Sequence, residues 1–264
     1  MRVLHTGEYT GEIVQKMHLE DAIITNTVYS ARRSSPEWHS HENLHVCFVY
    51  EGGRAETKKA VTYTQPGGSL FFYHAGQTHR WVSPRPVSKS ANLEVGNGFI
   101  RIYDLSENRI KEALRGRVDA KAIILKIQHE MLVGDGDSRP AVHALLLELF
   151  TEPAGEYRSQ RPRWANRLRD ILHDEWDRDL SLHELGLMTE THPVTLSKFF
   201  RKYFSCTLGA YRRKIKVARS IDLIKGSAKS LSEIAHLCNF SDHSHFTRTF
   251  KASTGFLPKS FRSY

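Results

Sequence analysis

The sequence is poor in cysteine: its 264 residues include only Cys47, Cys206 and Cys238. They are odd in number, far apart and in no C-x-x-C pair, which excludes a disulfide framework or a cysteine-rich zinc site as the organising element. They read as small core residues in a reducing compartment. Also missing is any run of about eighteen uninterrupted apolar residues, the length a membrane span needs, and the opening MRVLHTGEYTGEIVQ lacks the apolar centre of a secretory signal. A cytoplasmic chain without membrane association is expected. Excess charge is absent from the front part, where residues 1–155 hold 18 Lys/Arg and 18 Asp/Glu. Residues 156–264 hold 20 and 11, so the whole net charge of +9 falls there and suggests a polyanion partner for that part alone.

What is present falls into two regimes. From residue 20 to about 103, β-branched and aromatic runs at 23–29, 45–50, 61–64, 69–73 and 99–103 alternate with turn residues, the spacing of an antiparallel sandwich or barrel. Segments 106–115, 119–133 and 138–151 change to helical period, with Ile123, Ile127 and Met131, then Val142, Leu145 and Leu149, returning every three or four positions. Residues 152–163, rich in Pro, Gly and charge, read as a linker, and everything after Trp164 reads as helical. The expected fold class is α+β multidomain: a β-barrel sensing unit over 1–118, a helical dimerisation segment over 119–151, the linker, and an all-α unit over 164–264.

The all-α unit contains an internal repeat. LSLHELGLMTETHPVTLSKFFRKYFSCTLGAYRR (180–213) echoes SLSEIAHLCNFSDHSHFTRTFKASTGFLPKSFR (230–262), first at an offset of 49 and, after a one-residue insertion, of 50. Each copy has the physics of a helix-turn-helix. Ser230 with Glu233 has capping-box spacing, Leu231, Ile234, Ala235 and Leu237 form one apolar face, and Asn239 tolerates the left-handed backbone of a tight turn. Asp242 caps the next helix, whose apolar stripe is Phe246 and Phe250. Ala235 and its counterpart Gly186 are small enough for two helices to cross closely. Between the copies, residues 208–225 make one helix with Arg212, Arg213, Lys214, Lys216 and Arg219 outside, of about the length that separates successive major-groove segments.

IAHLCNFSDHSHFTRTFK (234–251) resembles the signature IAxxCxFSDxSHFxRxFK of the AraC/XylS family of transcription regulators, and residues 164–264 are similar to that family's DNA-binding domain. The resemblance implies a first reading helix presenting Val194, Thr195, Ser197, Lys198 and Arg201. It implies a second presenting His243, Ser244, Thr247, Arg248 and Lys251, with Arg212 as a further DNA contact. Lys198, Arg201 and Arg212 suit phosphates, and Val194 suits a thymine methyl. The first copy departs from the family pattern at Glu190, where Gly is usual in the turn, at His192 for Ser and at Leu208 for Pro.

In the front part, PEWHSHENLHVCFVYEGG (36–53) and PGGSLFFYHAGQTHRW (66–81) resemble the two cupin motifs, with His45 where metal-binding cupins have Glu and His74 where Pro is usual. Three readings stay open. His39, His41, His45 and His79 hold a divalent transition metal; the same histidines with Trp38 and Trp81 line a small-molecule pocket; or they are core. The rival class is a metal-dependent cupin enzyme, of dioxygenase or isomerase type, fused to a helical domain. The missing Glu and the fused DNA reader count against it, and no catalytic residue is assigned. The expected function is therefore sequence-specific regulation of transcription, binding two adjacent major-groove segments of double-stranded DNA under control of the barrel. A homodimer through Val142, Leu145, Leu146 and Leu149 is expected, as is a small-molecule effector, and RNA polymerase is a partner if the protein activates.

Overall fold

The computed structural model describes residues 2–30, 37–52, 54–58, 61–82, 87–151 and 161–264, so most of the expected linker lies outside the described residues. Ten strands come first: β1 (Arg2–Leu4), β2 (Glu12–Leu19), β3 (Ala22–Ser30), β4 (His39–His41), β5 (Leu44–Glu51), β6 (Arg54–Lys58), β7 (Val61–Gln65), β8 (Leu70–Tyr73), β9 (Arg80–Val82) and β10 (Val87–Val95). They form a five-stranded antiparallel sheet in the order β2-β3-β10-β5-β8, a three-stranded sheet β7-β6-β9, and a parallel pair β1-β4. An isolated bridge between His39 and His79 ties β4 to the start of β9.

The five-stranded sheet is covered on both faces, and the two faces differ in chemistry. On one, Ile24, Val46, Phe48, Ala91, Leu93 and Val95 join a cluster with the helices that follow. On the other lie Cys47, Val49, Tyr73 and Trp81 together with buried polar side chains, among them Thr25, Thr27, Ser88, Ser90, Asn92 and Glu94. Asn92 satisfies part of this interior by donating to Thr25 and Thr27 hydroxyls at 3.4 and 3.1 Å. Strand β10, VSKSANLEV, therefore buries Ala91, Leu93 and Val95 on one face and polar residues on the other, which hides it from a search for apolar runs. Segment 99–103, expected as a strand, is instead inside or next to helix α1 (Asn97–Ile102). Its two aromatics, Phe99 and Tyr103, lie one helical turn apart with rings 4.8 Å apart, and burial of Phe99 against Phe150 fixes that period.

Helices α2 (Glu107–Gly116), α3 (Ala120–Val133) and α4 (Ser138–Phe150) follow. Ser106 caps α2 by accepting from the Arg109 amide at 3.2 Å, and Gly134, in the left-handed region at φ 64°, ends α3. α3 packs along α4 and is buried nearly all round, with Ala122, Ile123, Ile124, Leu125, Ile127, Gln128 and Met131 inside. Val142, Leu146 and Leu149 of α4 are wholly buried within the same chain. That stripe is spent on the protomer's own core, so a dimer would need another surface.

The last part comprises α5 (Arg163–Asp174), α6 (Leu182–Thr189), α7 (Pro193–Phe204), α8 (Leu208–Gly226), α9 (Leu231–Leu237), α10 (His243–Thr254) and α11 (Pro258–Ser263). Its apolar residues sort into two cores. Leu168, Leu185, Leu196, Phe200, Phe204, Tyr211 and Ile215 close one around α5, α6 and α7. Val217, Ile221, Ile224, Ile234, Phe246, Phe250 and Phe261 belong to the other, which is continuous with the front sheet and α3. Helix α8 thus serves both. Lys121 of α3 pairs with Asp222, Lys214 reaches Asp119 at 2.7 Å, and Tyr264 stacks edgewise on Tyr50 at 5.0 Å. Among the described residues no helix is long and apolar enough to cross a membrane.

Candidate nucleic-acid interface and buried histidine cluster

Both repeat copies fold as the same device. In each, a serine opens the first helix with a reciprocal capping box: Ser181 with Glu184, and Ser230 with Glu233. Next comes a left-handed turn residue, Glu190 at φ 54° in the first copy and Asn239 at φ 52° in the second. Glu190 takes this conformation without being glycine, at a cost of roughly 1–2 kcal/mol for an L-residue, and its carboxylate meets Arg167 at 2.7 Å. The second helix of each pair is then capped by a side chain. His192 accepts from the Val194 amide, with Pro193 at the first helical position, and Asp242 accepts from the His245 amide at 2.7 Å. Gly186 marks the close crossing, since a Cβ there would stand 2.8 Å from the Thr191 carbonyl oxygen and 3.1 Å from Pro193 Cγ.

A further duplicated contact was not anticipated. The Arg212 guanidinium donates to the Leu180 carbonyl, and Arg262 donates to the Lys229 carbonyl at 2.7 Å. Leu180 and Lys229 each precede the capping serine of their copy, so each arginine ties the exit of a unit back to its entrance. Arg212, expected at a phosphate, is held inside the unit by this carbonyl and by Asp179 at 3.8 Å. Other cations of α8 are engaged similarly. Lys216 donates to the carbonyl of Asn239 at 2.6 Å, pinning the second turn, and Arg219 donates to His173 at 3.3 Å.

The outer ridges of α7 and α10 carry the other sequence-derived candidates. Val194, Ser197, Lys198 and Arg201 are exposed and Thr195 half-buried; His243, Ser244, Arg248 and Lys251 are exposed and Thr247 half-buried. Val194 is 64 % exposed at the very start of α7, where its methyl groups are open to a partner. On the inward sides Leu196 and Phe200, and Phe246 and Phe250, fix each ridge to its core. The arrangement presents hydrogen-bonding and cationic side chains at successive turns of two rigid short helices, the chemistry that reads base edges and grips phosphates.

In the front part, His39, His41, His45 and His79 are all buried, and the structure gathers them. Ring centroids are 4.4 Å apart for His39 and His79, 4.2 Å for His41 and His45, and 5.5 Å for His41 and His79. Strand β4 supplies two of them at alternating positions, both inward. One nitrogen each from His39, His41 and His79 lies within 4.8 Å of the others, the set that can hold a metal ion; His45 is outside it, stacked on Tyr73 at 4.4 Å. Burial, with His39 adding, lowers His41 to about 3, and burial lowers His79 to about 2, so these imidazoles are neutral at pH 7. Trp81 is buried 5.6 Å from the His79 ring, and half-buried Trp38 lies under the Arg80 guanidinium at 5.1 Å.

Sequence reasoning missed the polar residues around this cluster. Tyr73 donates to Glu56 at 3.0 Å, and Gln65 donates to both at 2.9 and 3.1 Å. Tyr9 stands 5.1 Å from the His41 ring and donates to Glu94, whose carboxyl burial pushes upward. Nothing in local spacing marks these as inward; the sheet pairings Glu94↔His45 and His45↔Tyr73 bring Glu94 and Tyr73 to the cluster, and hydrogen bonds tie Tyr9, Glu56 and Gln65 to those two.

Comparison with known proteins places the chain. A family model described as a helix-turn-helix domain matches residues 187–264. The transcriptional activator RhaR of Cronobacter sakazakii is 23 % identical over 242 residues, covering 85 % of this chain and 86 % of its own. The Msm operon regulatory protein of Streptococcus mutans is 25 % identical over 235 residues, covering 84 % of each. Among solved structures, ToxT of Vibrio cholerae aligns over 91 % of this chain and 98 % of its own at 13 % identity, with a TM-score of 0.38. RhaR and the Msm operon protein are named as regulators rather than as the cupin enzymes of the rival reading, and with the intact 234–251 motif and the duplicated helix pairs, the chain carries a helix-turn-helix domain and is similar to transcription regulators of the AraC type.

Proposed function

We propose that the protein binds double-stranded DNA sequence-specifically by placing α7 and α10 in adjacent major-groove segments, and that a ligand within the front unit, residues 1–118, controls this binding. The observation that carries the first half is the pair of exposed polar ridges on duplicated, capped and individually cored units. Helix α8 has 19 residues, about 28 Å at 1.5 Å per residue, against roughly 34 Å for one turn of duplex. Arg248, Ser244, His243 and Thr247 are the base-reading candidates of the second ridge. Lys198, Arg201 and Lys251 serve as phosphate contacts.

The control half is supported by a chain of contacts from the histidine cluster to the second unit. The His41 carbonyl accepts from the Gly76 amide at 2.8 Å. In the same loop, the His74 ring and the Ala75 amide meet Glu107 of α2 at 2.6 and 3.3 Å. Helix α2 packs on α4, α4 on α3, and α3 on α10. A ligand that draws in β4 and the 74–79 loop thereby biases where α10 stands relative to α7, whose core is separate, shifting an equilibrium between DNA-competent and incompetent arrangements. Homodimerisation, an effector of small size lodged by Trp38, Trp81 and the histidines, and contact with RNA polymerase in the activating case complete the reading.

Selection of bound sequences from random duplexes tests it. The expected result is two short conserved elements with centres about 10 base pairs apart. A single short element, or binding without sequence preference, would overturn the two-segment reading.

A further inference from the structure

Where the five-stranded sheet meets the end of α8 and α11, two adjoining clefts open. One, of about 440 Å³, has Tyr50, Lys89 and the 66–67 turn on its front wall and Lys225, Arg262 and Tyr264 on the other. The second, of about 500 Å³, shares Tyr50, Lys89 and Tyr264 with it and extends to Asn26. Alternation along β5 puts this seam on the side of the sheet away from the histidine cluster, since Val46, Phe48 and Tyr50 face the helices while His45, Cys47 and Val49 face the opposite way. The two walls touch at Gly67, where a Cβ would stand 3.1 Å from both the Lys225 Cβ and the Tyr50 carbonyl oxygen. Charge in the seam is unbalanced. Lys89 pairs with Glu51 at 3.1 Å. Lys225 Nζ and Arg262 Nη2 instead donate to the carbonyls of Arg262 and Lys229, at 3.3 and 2.7 Å, and neither side chain forms an ion pair among the described residues. Three polar groups there are also unmatched: the Tyr50 hydroxyl, on a residue 3 % exposed, the Asn26 Oδ1, on one 7 % exposed, and the Arg262 Nε are buried with no hydrogen-bond partner among the described residues. The Asn26 amide nitrogen donates to Gln15 at 2.9 Å and to Tyr264 at 3.4 Å, which leaves its oxygen as a fixed acceptor. Buried polar atoms are nearly always partnered, so a cluster of unmatched ones beside a cleft marks a place for a ligand.

We propose that this seam binds a small phosphate monoester carrying hydroxyl groups, gripped by the front sheet and by the end of the second helix-turn-helix unit at once. Three cations, Lys89, Lys225 and Arg262, less one carboxylate, Glu51, leave two positive charges to be matched. A phosphate monoester carries about −1.5 to −2 at neutral pH and offers three acceptor oxygens, whereas a simple carboxylate would leave one cation unmatched. Ammonium and guanidinium groups make short, charge-assisted hydrogen bonds to such oxygens. The body of the ligand then lies along Tyr50 toward Asn26, where a hydroxyl can donate to the Asn26 Oδ1 and pair with the Tyr50 hydroxyl. Burial holds Lys225 down to about 8, with Lys89 and Arg262 adding to the effect and Glu51 opposing it, so a bound dianion relieves a cation that now stands among its own kind. Because Lys225 and Arg262 belong to α8 and α11 and Tyr50 and Lys89 to the sheet, the ligand ties the second unit to the front unit and thereby sets DNA affinity.

The effect on DNA rests on the proposed DNA reading; the binding site does not. The full-length chain is titrated by calorimetry, at fixed ionic strength, with glycerol 3-phosphate, inorganic phosphate, sulfate and glycerol. One equivalent of glycerol 3-phosphate should bind with a dissociation constant of about 1 mM or below, inorganic phosphate about threefold or more weaker, and glycerol not at all. No saturable binding of either phosphate overturns the proposal, and sulfate bound as tightly as glycerol 3-phosphate means an adventitious ion only and overturns it too. Lys225→Gln should weaken glycerol 3-phosphate about tenfold or more. Tyr50→Phe removes a hydroxyl that has no partner in the empty protein, so it should leave the urea midpoint and the affinity for inorganic phosphate unchanged while weakening glycerol 3-phosphate about threefold or more. Parental affinity for glycerol 3-phosphate in either variant, with a parental circular dichroism spectrum, overturns the assignment. Gel shifts on a selected duplex with and without glycerol 3-phosphate should differ by about fivefold or more for the parent and not for Lys225→Gln. Binding of the ester with unchanged DNA affinity overturns the coupling. Binding of the ester by a chain that binds no duplex overturns the DNA reading instead.

Discussion

Replacing Gly186 by alanine sets two known effects against each other inside the first helix-turn-helix. Alanine gains about 0.8–1 kcal/mol over glycine in a helix interior. Against this, the new Cβ would stand 2.8 Å from the Thr191 carbonyl oxygen and 3.1–3.2 Å from two carbons of Pro193. Neither neighbour gives way cheaply: the Thr191 amide is bonded to the Gly186 carbonyl at 2.9 Å, closing the turn, and Pro193 starts α7. Overpacking of this kind costs about 1–3 kcal/mol, so at a mid-range cost of about 2 kcal/mol the net expectation is a loss of about 1 kcal/mol. Gly209→Ala is the matched comparison. Its Cβ would meet only Arg213 Nη1 at 3.5 Å, an ordinary contact, so the helix gain of about 0.5–1 kcal/mol should appear unopposed. Urea unfolding of both full-length variants should move the midpoint down for Gly186→Ala and up, or not at all, for Gly209→Ala. A Gly186→Ala protein as stable as the parent would refute the close crossing as the reason for glycine there.

Arg248→Ala should cost about 1–3 kcal/mol at one position of the operator and relax specificity there, whereas Lys198→Ala should weaken all duplexes alike and reduce the salt slope by about one ion; competition binding with single-base variants at several salt concentrations separates the two. Arg212→Ala and Arg262→Ala should lower stability by about 1–2 kcal/mol each through loss of the carbonyl tether, with an unchanged salt slope, as read by urea unfolding and titration of DNA. Lys225, half-buried over the Phe261 ring, is held down to about 8 by burial against 10.5 in the unfolded chain. Above pH 8 the unfolded chain therefore binds more protons, stability rises from pH 8 toward 10.5, and Lys225→Met should flatten that part of the stability profile.

The helical half was legible because its signals are local. Capping boxes, a left-handed Asn and stripes such as Phe246 with Phe250 are written within a few residues of one another, and the repeat doubles each of them. The front half was legible only in part. Strands such as 23–29 and 45–50 are rich in β-branched and aromatic residues and stand out, but β10 turns Ser88, Ser90, Asn92 and Glu94 inward, so hydropathy hides a central strand. His39, His41, His45 and His79 were readable as a group from the resemblance to the cupin motifs, whereas Glu94 and Tyr73 join them only through sheet pairing. The exposed cations assigned to α8 by helical period are outside the helix as expected, yet several are occupied by carbonyls and carboxylates from distant parts of the chain. Period tells which way a side chain leaves its helix and is silent on who waits for it.

The unequal ownership of apolar surface in the last hundred residues has a practical side. A fragment starting near residue 161 would keep Leu168, Phe200 and Ile215 sealed, but it would strip the cover from the flank of α8, α10 and the Phe256 ring that α3 and His129 now shield. Such an excised piece should be sticky at one end and well behaved at the other, so expression trials are better served by retaining residues 119–151 than by trimming to the motif.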